Sequence, residues 1–141
     1  MSRQNILTVH TPGAGLHEFT TDVARFVREC RCEQGVLTLF VRHTSCSLLV
    51  QENADPDVRA DLDEFFRRLV PRSDDTSMQW VRHGAEGPDD MPGHIKAALT
   101  ATSLSIPIVD ARLALGQWQG IYLFEHRDGA HARQVVLHLT D

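Results

Sequence analysis

The sequence predicts an α+β fold of packed antiparallel β-sheets with about three helices. Strand-like segments outnumber helical ones. Most of them follow one another directly, and short connections imply antiparallel pairing. Helical periodicity appears at only three places. With 141 residues, the chain is one domain's worth.

The elements follow in order. Asn5–Val9 reads as a first strand, and the Gly- and Pro-containing segment 9–16 as a turn after it. Val23, Phe26, Val27 and Cys30 recur at offsets 0, 3, 4 and 7, which predicts a helix over 21–30 with caps available at Thr20–Asp22. Residues 35–42 (GVLTLFVR) and 47–51 (SLLVQ) read as buried strands, joined by a turn carrying His43, Thr44 and Ser45. Asp55 is placed to cap a second helix with Pro56 at its first position. Val58, Leu62, Phe65, Phe66 and Leu69 form its apolar face, and Pro71 ends it. Residues 78–81 suggest a short strand, 83–93 a Gly/Pro-rich loop and 92–101 a third helix. Residues 104–109 are apolar but contain Pro107, which predicts an edge strand or a bulge. Strands follow at 112–115, 118–127 and 132–139, the last two expected to form a hairpin through Asp128-Gly129.

Composition excludes several classes. The chain is 42% hydrophobic and 23% charged, unlike a disordered or collagen-like sequence. No apolar run approaches the ~20 residues of a membrane helix, and the first nine residues do not read as a signal peptide. A net charge of −5 argues against nucleic-acid binding. Cys30, Cys32 and Cys46 are an odd number of thiols without redox or zinc-knuckle spacing, which points to a reducing, cytoplasmic setting.

Polar residues gather at 43–55, 83–96 and 118–127. His83, Glu86 and His94 share one loop, and His43 ends a strand; three histidines and a carboxylate suit an open divalent-metal site, zinc or magnesium. His43 with Ser45 or Cys46 could instead pair a base with a nucleophile, although Cys46 reads better as packing. Lys96, Arg127 and the start of the third helix could hold an anion. In a strand Glu125 and Arg127 share a face, with His126, Phe124 and Tyr122 on the other. The pair then either borders a pocket or forms a salt bridge tying strands together. Trp118 reads as an aromatic at a sheet edge.

Segments 43–62 (HTSCSLLVQENADPDVRADL), 83–99 (HGAEGPDDMPGHIKAAL) and 113–129 (LALGQWQGIYLFEHRDG) together resemble the YjbQ family, in order and across nearly the whole chain. The resemblance implies a homotrimer, a histidine-containing pocket for a divalent metal, and a weak activity described as secondary thiamine-phosphate synthase. Its motifs fall on His43, Thr44 and Ser45; on Glu52, Asn53 and Asp55; on His83, Asp89, Asp90, His94 and Lys96; and on Gly116, Trp118, Gln119, Gly120, Glu125 and Arg127. Gln51 stands where the family often shows Asn, and Cys46 where it often carries Ala.

The expected site therefore has His43, His83 and His94 as metal ligands. Its expected catalytic groups are His43, Asn53, Asp55, Glu125 and Arg127, and its substrate-binding groups Thr44, Ser45, Lys96, Trp118 and Gln119. Thiamine-phosphate synthesis joins a pyrimidine pyrophosphate to a thiazole phosphate and needs the leaving charge neutralised. The alternatives are a metal-dependent hydrolase, with His94 or Asp55 as base, and a non-catalytic trimeric module for a metabolite or metal.

Overall fold

The computed structural model describes residues 2–141, with only the backbone of Ser2. Eight strands and three helices run in the order β1 (Ser2–Thr11), β2 (Gly15–Glu18), α1 (Thr20–Cys30), β3 (Gln34–Val41), β4 (Cys46–Glu52), α2 (Pro56–Leu69), α3 (Asp90–Leu99), β5 (Ser103–Val109), β6 (Arg112–Leu113), β7 (Gln119–Glu125) and β8 (His131–Thr140). A five-stranded antiparallel sheet has the order β1-β8-β3-β5-β6, and a three-stranded one β2-β7-β4. The α+β architecture is the expected one.

Period-2 patterning decides which face meets the core. In β3, Leu37, Leu39 and Val41 are buried while Val36, Thr38 and Phe40 face out. In β8, Arg133, Val135, Leu137 and Leu139 are the inward set. The apolar ones join Val23, Phe26, Val27 and Cys30 of α1 and Leu48, Ile121 and Leu123 of the small sheet in one buried cluster. The helical offsets of α1 thus land on the core as expected.

Four local expectations change. Residues 78–81 are not a strand: the chain makes a 3-10 turn, Thr76–Met78, capped by the Asp75 side chain, which accepts the Ser77 N–H. Residues 15 and 16, expected to end a turn, open β2, which pairs with β7 from Glu18↔Tyr122 to Gly15↔Glu125. Three half-buried residues followed by an exposed one carry too little periodicity to announce a strand. Residues 114 and 115 leave the strand begun at Arg112. β7 and β8 are no hairpin, because each is central in a different sheet. β7 is buried on both faces, so it needs cover from a second layer, whereas β8 alternates. Residues 126–130 therefore cross between layers.

Pro107 lies where predicted. β6 covers β5 only at Ile108 and Val109, after a two-residue turn in which Asp110 and Ala111 have φ of 50° and 62°. No helix among the described residues is long and apolar enough to cross a membrane.

Candidate metal centre

α3 starts at a turn built by the glycine-rich segment before it. Gly87 has φ +107° and its carbonyl accepts the Asp90 N–H. Asp90 and His94 are one helical turn apart and share a face. Asp90 is 1% exposed and its carboxylate is the centre of the cluster. His83 Nε2 lies 2.8 Å from Asp90 Oδ2 and His94 Nε2 3.5 Å from the same oxygen. One ligand atom from each of His83, Asp90 and His94 lies within 4.8 Å of the others.

The surroundings orient all three. The Nδ1–H of His94 donates to the Thr44 carbonyl at 2.9 Å, which leaves Nε2 as the lone-pair nitrogen facing Asp90. Arg127 Nη1 holds the other Asp90 oxygen, Oδ1, at 2.9 Å. Burial pushes the Asp90 carboxyl up, but the hydrogen bond to His83 and the charge of Arg127 are among the interactions that outweigh it and hold its pKa below the ordinary value. His83 is exposed, so one side of the cluster opens to solvent.

Arg127 differs from its expected place. It shares no salt bridge with Glu125. Its Nε donates to Asp89 at 2.9 Å, its Nη1 to Asp90 and its Nη2 to the Glu86 carbonyl at 3.1 Å. The hydrogen bond to Asp89 raises the pKa of the guanidinium further. Protein oxygens fill the fork that was expected to hold a phosphate.

A second network lies beyond it, between the sheets. Glu125 is fully buried and paired with Arg133, which the sequence reading passed over. Thr11 Oγ1 donates to Glu125 Oε1 at 2.6 Å, and the Arg127 N–H donates to Glu125 Oε2 at 3.2 Å. Arg133 also donates to Ser45, to both its carbonyl and its hydroxyl. Burial pushes the Glu125 carboxyl up, and these donors more than reverse it. The signal for Arg133 was present: it falls on the same alternating face as Val135, Leu137 and Leu139. His43 belongs to this neighbourhood rather than to the His83 cluster. Its Nε2 accepts the Gln134 N–H at 2.8 Å, and burial together with Arg133 lowers its pKa. Cys46 beside it is fully buried with its thiol pushed up to about 12, the inert state expected of packing.

The remaining residues lie elsewhere. Asp55 caps α2 through the Asp57 N–H. Asn53 donates to Glu18, its N–H bonds the Trp118 carbonyl, and Gln119 accepts the Gly116 N–H. All are at the far ends of β4 and β7, where Glu52 pairs with Gln119. Six strand steps from Cys46 to Glu52 span roughly 20 Å. Lys96 is on α3 but roughly 160° around the axis from His94, and half-burial lowers its pKa.

Residues 5–141 match the sequence profile of the family described as UPF0047 protein YjbQ-like. The chain belongs to this family. The family's UPF0047 protein sll1880 from Synechocystis is 50% identical over 137 residues, covering 97% of this chain and 90% of that one. YjbQ of Escherichia coli O157:H7 is 39% identical over 134 residues, covering 94% of each. A crystal structure of a YjbQ/UPF0047 protein from Clostridium acetobutylicum superposes with a TM-score of 0.84 at 31% identity, covering 96% of this chain and 99% of that one. A YbjQ-like protein of unknown function from Sulfolobus solfataricus shares the fold at 16% identity, with a TM-score of 0.80 and coverage of 99% and 98%.

Proposed function

We propose that this protein holds a divalent cation on His83, Asp90 and His94 and uses it on a small phosphorylated molecule. The supporting observation is the convergence of two imidazoles and one buried carboxylate within 4.8 Å of one another, with one side open. Two nitrogens and an oxygen with a free position suit zinc in a catalytic setting. The hydrogen bond from His94 to Thr44 supplies the outer support that metal-bound histidines require. When bound, the cation supplies Lewis-acid polarisation of a substrate oxygen. Arg127 keeps Asp90 ionised and orients it, so it is a positioning residue in this reading.

Metal analysis of the purified protein, with an anomalous-scattering map, tests the reading: one equivalent of cation on these three side chains is expected. A full-length protein that binds no cation, or binds it elsewhere, overturns it. Thiamine-phosphate synthase activity, implied by the family resemblance, is the first assay, run with and without chelator. Hydrolysis of a phosphate ester under the same conditions is the alternative outcome.

The proposal includes a homotrimer. α2 has the predicted amphipathic face, yet none of its residues is fully buried, and Phe65 and Leu69 are 57% and 53% exposed. Such a face is normally covered. Light scattering at micromolar concentration should return three times the 15.8 kDa chain mass; a monomer rejects this.

A further inference from the structure

We propose that the outer face of the five-stranded sheet is the surface on which copies of this chain meet. It rests on the self-association included in the proposed function, and not on the cation.

Alternation gives β1, β8, β3 and β5 one side each that turns away from the core. The register aligns these sides. Ile6 lies opposite Val136, and Val136 opposite Phe40, so three apolar side chains cross three strands in one row. Val36 lies opposite Pro107, and Val109 is the next outward residue of β5. Ile6, Val36, Phe40 and Val109 are 48%, 43%, 48% and 50% exposed. The apolar core side chains of α1 join the inward side of the sheet. On the outward side every residue is exposed except the half-buried Val136 and His138.

Charge singles this face out. Asp, Glu, Lys and Arg make up 23% of the chain. None of them stands at an outward position of Gln4–His10, Gln34–Phe40, Ser103–Val109 or Ala132–Thr140. Exposed protein surface is normally interspersed with charge, and its depletion marks the centre of a protein contact. The exposed apolar residues of α2 differ in this respect. Phe65 and Leu69 stand among the exposed Asp61, Glu64 and Arg68, and Arg68 is paired with Glu64.

Neutrality also selects the occupant. A nucleic acid or a strongly charged peptide finds no counter-charge here. Copies of the face itself match one another, since each offers aliphatic side chains among Thr, Ser and Gln and no charge to desolvate. Turned toward a symmetry axis, the same face of every copy meets its neighbours. The size is adequate. Four strands of seven to ten residues cover roughly 550 Å² in projection. Side-chain relief raises the accessible area toward the roughly 800 Å² per partner of a stable contact.

Light scattering and sedimentation of the full chain and of two outward variants, Phe40→Glu and Thr38→Arg, test the proposal. Each variant places an unpaired charge in the contact and should raise the dissociation constant about a hundredfold or more. At micromolar concentration the mass should then fall to the 15.8 kDa of one chain, with an unchanged circular dichroism spectrum. A second readout uses a mild substitution. Cys30, Cys32 and Cys46 are all buried, so Ser105→Cys adds one accessible thiol in the middle of the face. Maleimide should label it severalfold more slowly in the assembly than after dilution to single chains. This readout decides the matter if the charged variants fail to fold. A monomeric parent chain rejects the self-association and this surface together. An assembly that keeps its mass in both charged variants, or whose Ser105→Cys thiol labels as fast as in the single chain, rejects this surface alone.

Discussion

Two arginine–carboxylate networks begin within two residues of each other, at Glu125 and Arg127, and they differ in exposure. Glu125 and Arg133 are 0% and 5% exposed in their side chains, lie between two sheets, and have their polar atoms paired with Thr11, Ser45 and the Arg127 N–H. Arg127, Asp89 and Asp90 sit at the molecule's edge, with Arg127 18% exposed, and their last partners are two histidines that open to solvent. The first arrangement holds the layers together and has no acceptor left for a ligand. The second holds a carboxylate ionised next to imidazoles. Buried charge alone does not mark a site; a buried charge whose network ends at an accessible ligand atom does.

Removing Arg133 should give the largest effect. Arg133→Met strands Glu125 as an uncompensated buried charge, which costs about 3–5 kcal/mol. Glu125→Gln in the same background should recover part of the melting temperature. A fall no larger than that of a surface substitution would place the pair outside the core of stability.

His94→Ala should act on the other network and leave the fold nearly intact. Loss of a direct ligand should lower cation affinity by about 100-fold or more, beyond what outer supports typically cost. Calorimetry with zinc and the melting curve of the apoprotein separate the two effects. Unchanged affinity removes His94 from the ligand set.

Arg127→Lys keeps the charge but loses the fork that grips Asp89, Asp90 and the Glu86 carbonyl together. Cation affinity should fall by about tenfold. A ligand-anchoring Arg127 would instead leave cation affinity unchanged and lose substrate.

The smallest change is a slope. His126 lies between the networks, and burial lowers its pKa from 6.5 to about 3. Below pH 6.5 the unfolded chain takes up a proton that the folded chain refuses until about pH 3. Stability must therefore fall with acidification, by about 1.4 kcal/mol per pH unit within that window. The carboxylates of Asp90 and Glu125 have depressed pKa values, so their contribution is present above their ordinary values and lost as pH falls through the folded ones. Denaturant melts between pH 6.5 and 5 separate the histidines from the carboxylates; His43, whose pKa is also lowered, adds to the slope of the unsubstituted protein and remains in the His126 variant. His126→Phe should flatten this part of the curve; an unaltered slope would mean that His126 is protonated in the fold.

The amino-acid order determined whatever repeats locally. Offsets of three and four in α1, alternation in β3 and β8, the Asp55-Pro56 start of α2 and the break at Pro107 each follow from a single element's geometry. The pairing of His83 with His94 was legible because a tight loop and one helical turn separate them. Only the tertiary structure decided which distant side chains meet. The alternation of Glu125 was readable, but its partner Arg133 comes from another sheet, and the choice of sheet for β7 and β8 follows from burial on both faces of β7. Asn53 and Asp55 stand close to His43 along the chain, and Trp118 and Gln119 close to Glu125. An extended strand of six steps carries them roughly 20 Å away, because a β-strand turns short separations in sequence into long ones in space, whereas one turn of α3 keeps Asp90 and His94 together.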